Sequence, residues 1–404
     1  MATTSFIYHA HGLHDHRLLK TEFHGGATYF HVELKAEKRA CRGCGARHHE
    51  LAFEGTFERT FRSLPVGRRA TFIVLHGHEQ RCGCCGRVLR EPISFAEGKR
   101  QFTRRLARYI VELCGIATIK HVASFLGMGW DVVKEVFKES LRKQLKKRSL
   151  REVEHIAIDE FAVQKGHRYM TVVLDLDSGE ILYAHEGKDA DAVIPFLKKL
   201  RRSGAKLQAV AIDMSDAYLK AVREVFPAVD IVHDGFHVVA LANKAVDETR
   251  REMCRELEGE EKQVIKGSRY LLLTGYENLT DERAERLDKL LELNEPLFRA
   301  HLLKEDLRAF WSLPDEETGE IFLDCWIETA LSSGLRYFET LAQTIERHRS
   351  RLVTYFRHLI STGPLEGLNN KIKVLKRQAY GFRDMEYFRL RLYTIHESTP
   401  AFPG

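Results

Sequence analysis

Residues 29–35 (Y-F-H-V-E-L-K) alternate apolar and polar positions, and residues 70–76 (A-T-F-I-V-L-H) form a second β-branched, aromatic run. Each reads as a strand, and each leads into a cysteine pair. From residue 101 the period lengthens. Leu106, Ile110 and Leu113 recur at i, i+4 and i+7, the spacing of a helix. A second, short helix carries Val122, Phe125 and Leu126. After Gly127-Met128-Gly129 a longer helix follows, with Asp131 as its N-cap and Val133, Val136, Phe137 and Leu141 inside. Helix, short helix, glycine turn and basic helix outline a helix-turn-helix. Lys134, Lys138 and Arg142 repeat every four residues and are expected on the exposed side of the last helix. K-Q-L-K-K-R-S (143–149) reads as a basic linker.

From residue 152 the pattern becomes α/β. H-I-A-I-D (155–159) predicts a strand, 168–185 a hairpin turning at Ser178-Gly179, and 189–202 a helix. L-Q-A-V-A-I-D (207–213) predicts another strand, Asp216–Val225 a helix, and 229–234 a further strand. That order matches a ribonuclease-H-like core. Residues 240–360 read almost wholly as helix, too much for such a core, which implies an insertion. The expected organisation is multidomain: a zinc-binding β-ribbon over 1–98 and a helix-turn-helix over 99–150. An α/β core follows over 151–240, interrupted by an all-helical insertion over 241–360 and completed by 361–404.

Composition narrows the class. Charged residues at 30% and hydrophobic ones at 44% over 404 residues describe a globular chain rather than a disordered one. No apolar run reaches membrane-spanning length, and no basic start precedes an apolar stretch, so a cytoplasmic protein without membrane attachment is expected. Residues 1–150 carry 27 Lys and Arg against 14 Asp and Glu, and the remainder carries 36 against 43. The whole basic excess lies in the first third, which points to a nucleic-acid-binding N-terminal region.

Five of the eight cysteines fall in two clusters, C-R-G-C (41–44) and C-G-C-C (82–85). Paired C-x-x-C knuckles supply the four thiolates that tetrahedral Zn²⁺ takes, so Cys41, Cys44, Cys82 and Cys85 are the expected ligands. Cys84 competes with its neighbours for that role, and His48, His49, His76 and His78 are further donors nearby. Free or redox-active thiols are the plainer alternative. Cys114, Cys254 and Cys325 are expected in cores.

The carboxylates carry the chemistry. Asp159 and Asp213 each end an apolar run, and Glu366 opens a basic amphipathic helix far downstream. Two ions of Mg²⁺ or Mn²⁺ bound by such carboxylates serve phosphodiester cleavage. Asp159 shares a strand face with Ala157, and Asp213 with Ala211 and Ala209; these small neighbours are expected to leave room for metal and phosphate. Each carboxylate alone has an ordinary explanation, as a turn former or a first-turn glutamate after Pro364. The three in order, each on the right kind of element, do not. Around Glu366, Leu368, Ile372, Leu375 and Ala379 form an apolar stripe, and Asn370, Lys373 and Arg377 share the polar side, placed to hold DNA phosphates. Gly381 is the expected C-cap. Asp234 and His237 in D-G-F-H-V (234–238) are candidates to line the site, supporting its carboxylates or touching substrate, with a satisfied core histidine as the plainer alternative for His237.

With these residues in hand, the chain resembles the ISL-three-type bacterial insertion-sequence transposases over nearly its full length. The resemblance rests on the cysteine knuckles, the helix-turn-helix, I-D-E-F, A-I-D-M-S-D-A-Y, the D-x-F-H element and E-G-L-N-N-K-I-K-V-L-K-R-Q-A-Y-G-F. It implies a DDE transposase with the triad Asp159, Asp213 and Glu366. Such an enzyme binds double-stranded DNA at terminal inverted repeats, frees a 3′-OH and joins it to target DNA. It works as a homodimer or larger on DNA, in the bacterial cytoplasm at the nucleoid. A transposase-derived DNA-binding regulator without catalysis is the alternative, and the loss of a triad member would favour it. Thr362-Gly363-Pro364 ahead of the glutamate departs from the Asn- or Ser-rich approach expected of the family.

Overall fold

The computed structural model describes residues 6–145, 149–164 and 168–395. Residues 146–148 of the expected linker and the first five residues of the chain lie outside it. Two compact units divide the chain, one over Met1–Lys147 and one over Arg148–His396. No helix among the described residues is long and apolar enough to cross a membrane.

The first unit opens with a short helix, α1 (Phe6–His9), and continues as a sheet of β1 (His16–His24), β2 (Ala27–Leu34), β3 (Leu51–Val66), β4 (Arg69–Cys82) and β5 (Val88–Arg90). The order is β1-β2-β4-β3, with β5 beside β4; β2 and β4 run parallel and the other pairs antiparallel. β3 and β4 form one long hairpin closed at Gly67, whose φ of 58° suits glycine. One face of the sheet buries Phe30, Val32, Phe61, Ile73 and Leu75 together with Ile7, Leu13 and Phe95.

Three helices follow, α2 (Arg104–Ile116), α3 (Ile119–Leu126) and α4 (Trp130–Leu145). Thr103 and Thr118 cap α2 and α3, their hydroxyls accepting the Leu106 and His121 N–H groups at 3.2 Å. Gly127, with φ 60°, ends α3. Asp131 lies inside the first turn of α4 rather than at its cap. Val133, Val136, Phe137 and Leu141 are buried as expected, but Phe125 is 68% exposed. The expected basic row does not lie on an exposed face. Lys138 is only 6% exposed, because α4 packs against both α2 and α3 and its covered side is wide. Lys134 sits 4.9 Å over the Trp130 ring, and Arg142 donates to Glu135 at 2.7 Å.

The second unit is built on β6 (His155–Gln164), β7 (Arg168–Asp175), β8 (Ile181–Glu186), β9 (Ala209–Ile212) and β10 (Asp230–His233), in the order β10-β9-β6-β7-β8. β6, β7 and β8 are antiparallel; β6, β9 and β10 are parallel. α5 (Ala190–Arg202) and α6 (Asp216–Val225) cover one face, against Ile156, Ile158, Val210 and Ile212. α15 (Gly363–Gln378) and α16 (Met385–Tyr393) cover the other, against Ala157, Val172, Leu174 and Ala211. Between them run α7 (Gly235–Glu256), α8 (Gly259–Gly267), α9 (Arg269–Leu273), α10 (Asp281–Leu293), α11 (Glu295–Ala309), α12 (Glu316–Ser332), α13 (Arg336–Val353) and α14 (Tyr355–His358). These helices enclose a core of their own around Leu297, Phe310, Leu323, Trp326 and Phe338. Cys114 is buried, Cys254 half-buried and Cys325 exposed, so Cys325 is not a core residue.

Candidate catalytic site

Register places three aspartates side by side. Ile158 pairs with Ile212, and Ile212 with His233, across the parallel strands β6, β9 and β10. The next residue on each strand is Asp159, Asp213 and Asp234. Neighbouring strands lie about 4.8 Å apart, so the three acids emerge as a row at one end of the parallel pairs. Asp159 does not end its strand: β6 continues to Gln164 because its antiparallel partner β7 continues beside it, while pairing to β9 stops at Ile158.

The small residues beside the aspartates have a different use from the expected one. Ala157 and Ala211 are fully buried and pack with Leu365 and Leu368. The space is filled by α15, which can approach the sheet closely because alanines lie beneath it. Leu368, Ile372 and Leu375 are buried and Ala379 is half-buried. Asn369, one turn beyond Glu366, donates from Nδ2 to Asp159 Oδ2 at 3.3 Å, and Lys376 donates to the Ala162 carbonyl at 2.9 Å. The docking thus brings the glutamate's helix to the row of aspartates. Glu366 itself is exposed on the first turn, as are Asn370, Lys373 and Arg377 further along. Asp159, Asp213 and Glu366 are not drawn into a ligand-sized cluster. Among the described residues, the only group of three or more His, Cys, Asp or Glu side chains set to hold a metal ion is formed by cysteines.

Asp234, 2% exposed, ties the site together. One carboxylate oxygen accepts the Thr362 backbone N–H at 3.1 Å, at the start of α15, and the other meets His237 Nδ1 at 3.0 Å. Burial opposes its ionisation, but the bonds from His237 and Thr362 outweigh burial and leave its carboxyl below the usual range. His237, on the first turn of α7, is raised by its bond to Asp234, against burial, with Asp213 and Asp159 adding to the effect. It places a histidine whose charged form is favoured among three acids. Gly235, between them, cannot be larger: a Cβ there would lie 2.5 Å from the Trp311 ring. Asp234→Ala would leave the Thr362 N–H buried without a partner. It should cost about 1–3 kcal/mol in urea unfolding and loosen the start of α15.

The site also holds Glu160, one residue beyond Asp159. Tyr218, fully buried on α6, shares its hydroxyl between Glu160 at 3.2 Å and Thr171 at 3.0 Å. Burial first, then Asp213 and Asp159, raise the Glu160 carboxyl. Burial likewise raises Asp159 and Asp213. Closely set, half-buried acids whose ionised forms are disfavoured suit a bound divalent cation. Asn369 was missed in the sequence, although it lies three positions after Glu366, within reach of the same side of the helix. Thr362 and Tyr218 carry no comparable signal, since a backbone N–H and a buried tyrosine look ordinary in sequence.

In the first unit, the Cys41, Cys44, Cys82 and Cys85 sulfurs lie within 4.8 Å of one another. Cys41 Sγ is 3.7 Å from Cys85 Sγ, and Cys44 Sγ is 3.6 Å from Cys82 Sγ. Four Zn–S bonds of about 2.3 Å in a tetrahedron separate sulfurs by about 3.8 Å, so the set fits a zinc ion. Cys84 is exposed and outside the group. The Cys44 and Gly43 backbone N–H groups hold the Cys41 thiol down at about 6, towards the thiolate a metal binds.

Residues 156–392 match a family model described as a transposase, and residues 91–141 match the helix-turn-helix domain of transposase family ISL3. The transposase for insertion sequence element IS1001 of Bordetella parapertussis is 33% identical over 386 residues, covering 94% of this chain and 93% of that protein. The transposase for IS1557 of Mycobacterium tuberculosis is 29% identical over 395 residues, 91% of this chain and 88% of that protein. A solved chain of the Drosophila P element transposase strand transfer complex covers 72% of this chain and 92% of its own length, at 12% identity and a TM-score of 0.36. Sequence likeness of this length and degree, with both parts of the chain matched in order, places it: the protein belongs to transposase family ISL3.

Proposed function

We propose that this transposase binds the terminal inverted repeats of its own insertion sequence through the zinc ribbon and helix-turn-helix, and cuts and joins DNA strands at Asp159, Asp213 and Glu366 on a ribonuclease-H-like core. The observation that supports it most is the docking of α15. Asn369 meets Asp159 while Asp234 holds the start of the helix, so the helix that bears Glu366 is fixed beside the strand aspartates. Those three side chains would hold Mg²⁺ or Mn²⁺, which when bound polarises the phosphodiester and activates the attacking oxygen. Asp159 and Asp213 supply short, rigid ligands. Glu366, exposed and longer, can close over substrate from its helix. His237 offsets the charge of the acids. Lys373 and Arg377, further along the same face, would hold the strand by its phosphates. The cysteine cluster would carry one structural zinc. Cutting two ends in one reaction requires at least two copies at work on DNA. The substrate places the enzyme at the nucleoid, in the cytoplasm.

The test is strand cleavage and joining on labelled duplexes from the end of the element. Cut and joined products should need Mg²⁺ or Mn²⁺ and an intact terminal repeat. Products that persist in chelator, or on a scrambled end, would remove the proposal. Tight end binding with no products under any metal would favour the regulator.

A further inference from the structure

Two non-glycine residues among those described have a left-handed backbone, Leu359 and Tyr380, each with φ 52°. Tyr380 stands just past α15. Gly381 N–H donates to the Lys376 carbonyl at 3.0 Å, and Tyr380 N–H to the Arg377 carbonyl at 3.1 Å. These are the two bonds of a Schellman cap, in which the left-handed residue is usually glycine. Here the glycine comes one position late, at Gly381 with φ 92°. A tyrosine takes the left-handed place, with a strain glycine would not carry. The sequence pattern alone puts the cap at Gly381; the backbone puts it at Tyr380.

Packing does not offset that strain. Tyr380 is 96% exposed, and among the described residues no hydrogen bond or ring contact engages its side chain. The neighbouring aromatic does the anchoring: Phe382 packs 4.7 Å from Phe388 and 5.7 Å from Tyr387, centroid to centroid. A strained backbone presenting a bare aromatic ring calls for a partner outside the chain. The surroundings name its chemistry. Glu366, Asn370, Lys373 and Arg377 are exposed along one side of α15 at i, i+4, i+7 and i+11, and exposed Tyr380 follows just past the helix end. The line runs from a carboxylate to two cations to an aromatic ring. At 1.5 Å per residue, α15 runs about 18 Å from Glu366 to its end at Gln378, with Tyr380 just beyond. That is about five to six base steps of DNA at 3.4 Å each.

We propose that Tyr380 stacks on a base of the bound DNA about six nucleotides from the bond at which Glu366 acts, with Lys373 and Arg377 on the phosphates between. This rests on the reading of Glu366 as catalytic for its origin of distance, but not for the contact itself. Stacking tolerates any base, so it would position a strand whose sequence is read elsewhere. It needs that base to be unstacked from one neighbour, by a kink or an unpaired end.

The experiment uses the full chain and duplexes from the end of the element, with 2-aminopurine placed singly three to nine nucleotides from the cleavage position on each strand. Fluorescence and affinity are read in chelator, and melting temperature is read alongside. The parent and Tyr380→Phe should change the fluorescence at one position or two adjacent ones. Tyr380→Gly should abolish that change and bind about 5- to 150-fold more weakly, the range for loss of one base–aromatic stack. It should also melt no lower than the parent, since glycine suits the left-handed place. An unchanged signal and affinity in Tyr380→Gly would overturn the contact. So would a lowered melting temperature, which would make the ring structural, or a Phe variant as defective as the Gly one. Glu366→Gln keeps the two readings apart: if it cuts like the parent while the stacking signal holds, the catalytic assignment falls and the contact stands.

Discussion

Glu366→Gln should lower strand cleavage and joining by about a thousandfold or more, while leaving binding to the element's end unchanged. Loss of a metal ligand withdraws several kcal/mol of charge stabilisation from the transition state, and each 1.36 kcal/mol is a factor of ten. The substitution keeps shape and length. Glu366 is exposed, and its structural contribution is that of a first-turn acid near the helix N-terminus, about 0.3–1 kcal/mol. The fold should therefore survive. Asp213→Asn should abolish the chemistry as completely but move stability the other way. Burial, with Asp234 adding, raises the Asp213 carboxyl against the bonds that lower it. The folded chain thus holds that proton more tightly than the unfolded chain does. Ionised Asp213 therefore destabilises the metal-free fold, and this loss grows as pH rises through the raised value. In chelator at pH 8, Asp213→Asn should melt above the parent, and the gap should close on acidification towards pH 4. Adding Mg²⁺ should raise the melting temperature of the parent and not of Asp213→Asn. Cleavage by Glu366→Gln within a few-fold of the parent would refute the triad. A lower melting temperature for Asp213→Asn in chelator would refute the electrostatic account.

The sequence shows the ingredients of this site better than their arrangement. Asp159 and Asp213 were visible because each follows an apolar run, and runs of that kind report strands. That Asp159 lies within its strand was not visible, because the length of β6 is set by β7, a partner whose pairing is non-local. Ala157 and Ala211 announced a close approach, but small residues do not say what approaches; here it is Leu365 and Leu368, not a phosphate. On α15 the period resolved faces correctly to within one residue. Asn370 is exposed as expected, while Asn369, which makes the bond to Asp159, was not singled out. On α4 the same reasoning failed at Lys138. A helix packed by neighbours on two sides covers positions that a single apolar stripe would leave open. β3 escaped notice because its first half is largely exposed, and its pairing with β4 makes it a strand. Asp234 illustrates the remaining limit. Its role is to hold the Thr362 backbone, 128 residues away in sequence, and no local pattern encodes a partner at that range.

Cys41→Ser should release the zinc and unfold the knuckle region, and with it abolish end binding, whereas Cys84→Ser should change neither. The two knuckles have little else to hold them. Outside the sulfurs, the loops are closed by backbone bonds: the Cys41 N–H to the Ala46 carbonyl at 2.8 Å, Gly45 N–H to Cys41 at 2.9 Å, Cys82 N–H to Arg87 at 3.0 Å, Gly86 N–H to Cys82 at 2.8 Å and Gly83 N–H to Glu50 at 2.8 Å. Arg42, Gly43, Cys44 and Gly45 are exposed, so this end of the unit has almost no apolar core. The unit's own core lies along the sheet, around Phe61, Ile73 and Leu75. Structural zinc sites contribute about 10–16 kcal/mol of apparent binding free energy at neutral pH. That exceeds what these backbone bonds provide, at about 0.5–1.5 kcal/mol each. Zinc per chain, measured by mass spectrometry of the metal, should be near one for the parent and for Cys84→Ser, and near zero for Cys41→Ser. The Cys41→Ser chain should gain an early thermal transition. The core helices should melt as in the parent, because the second unit encloses hydrophobic cores of its own. Strand cleavage should fall with end binding, not ahead of it, which separates this variant from Glu366→Gln. Zinc retained by Cys41→Ser, or lost by Cys84→Ser, would show that the ion sits on other ligands. Zinc lost without loss of end binding would show that the knuckles do not shape the DNA-binding surface.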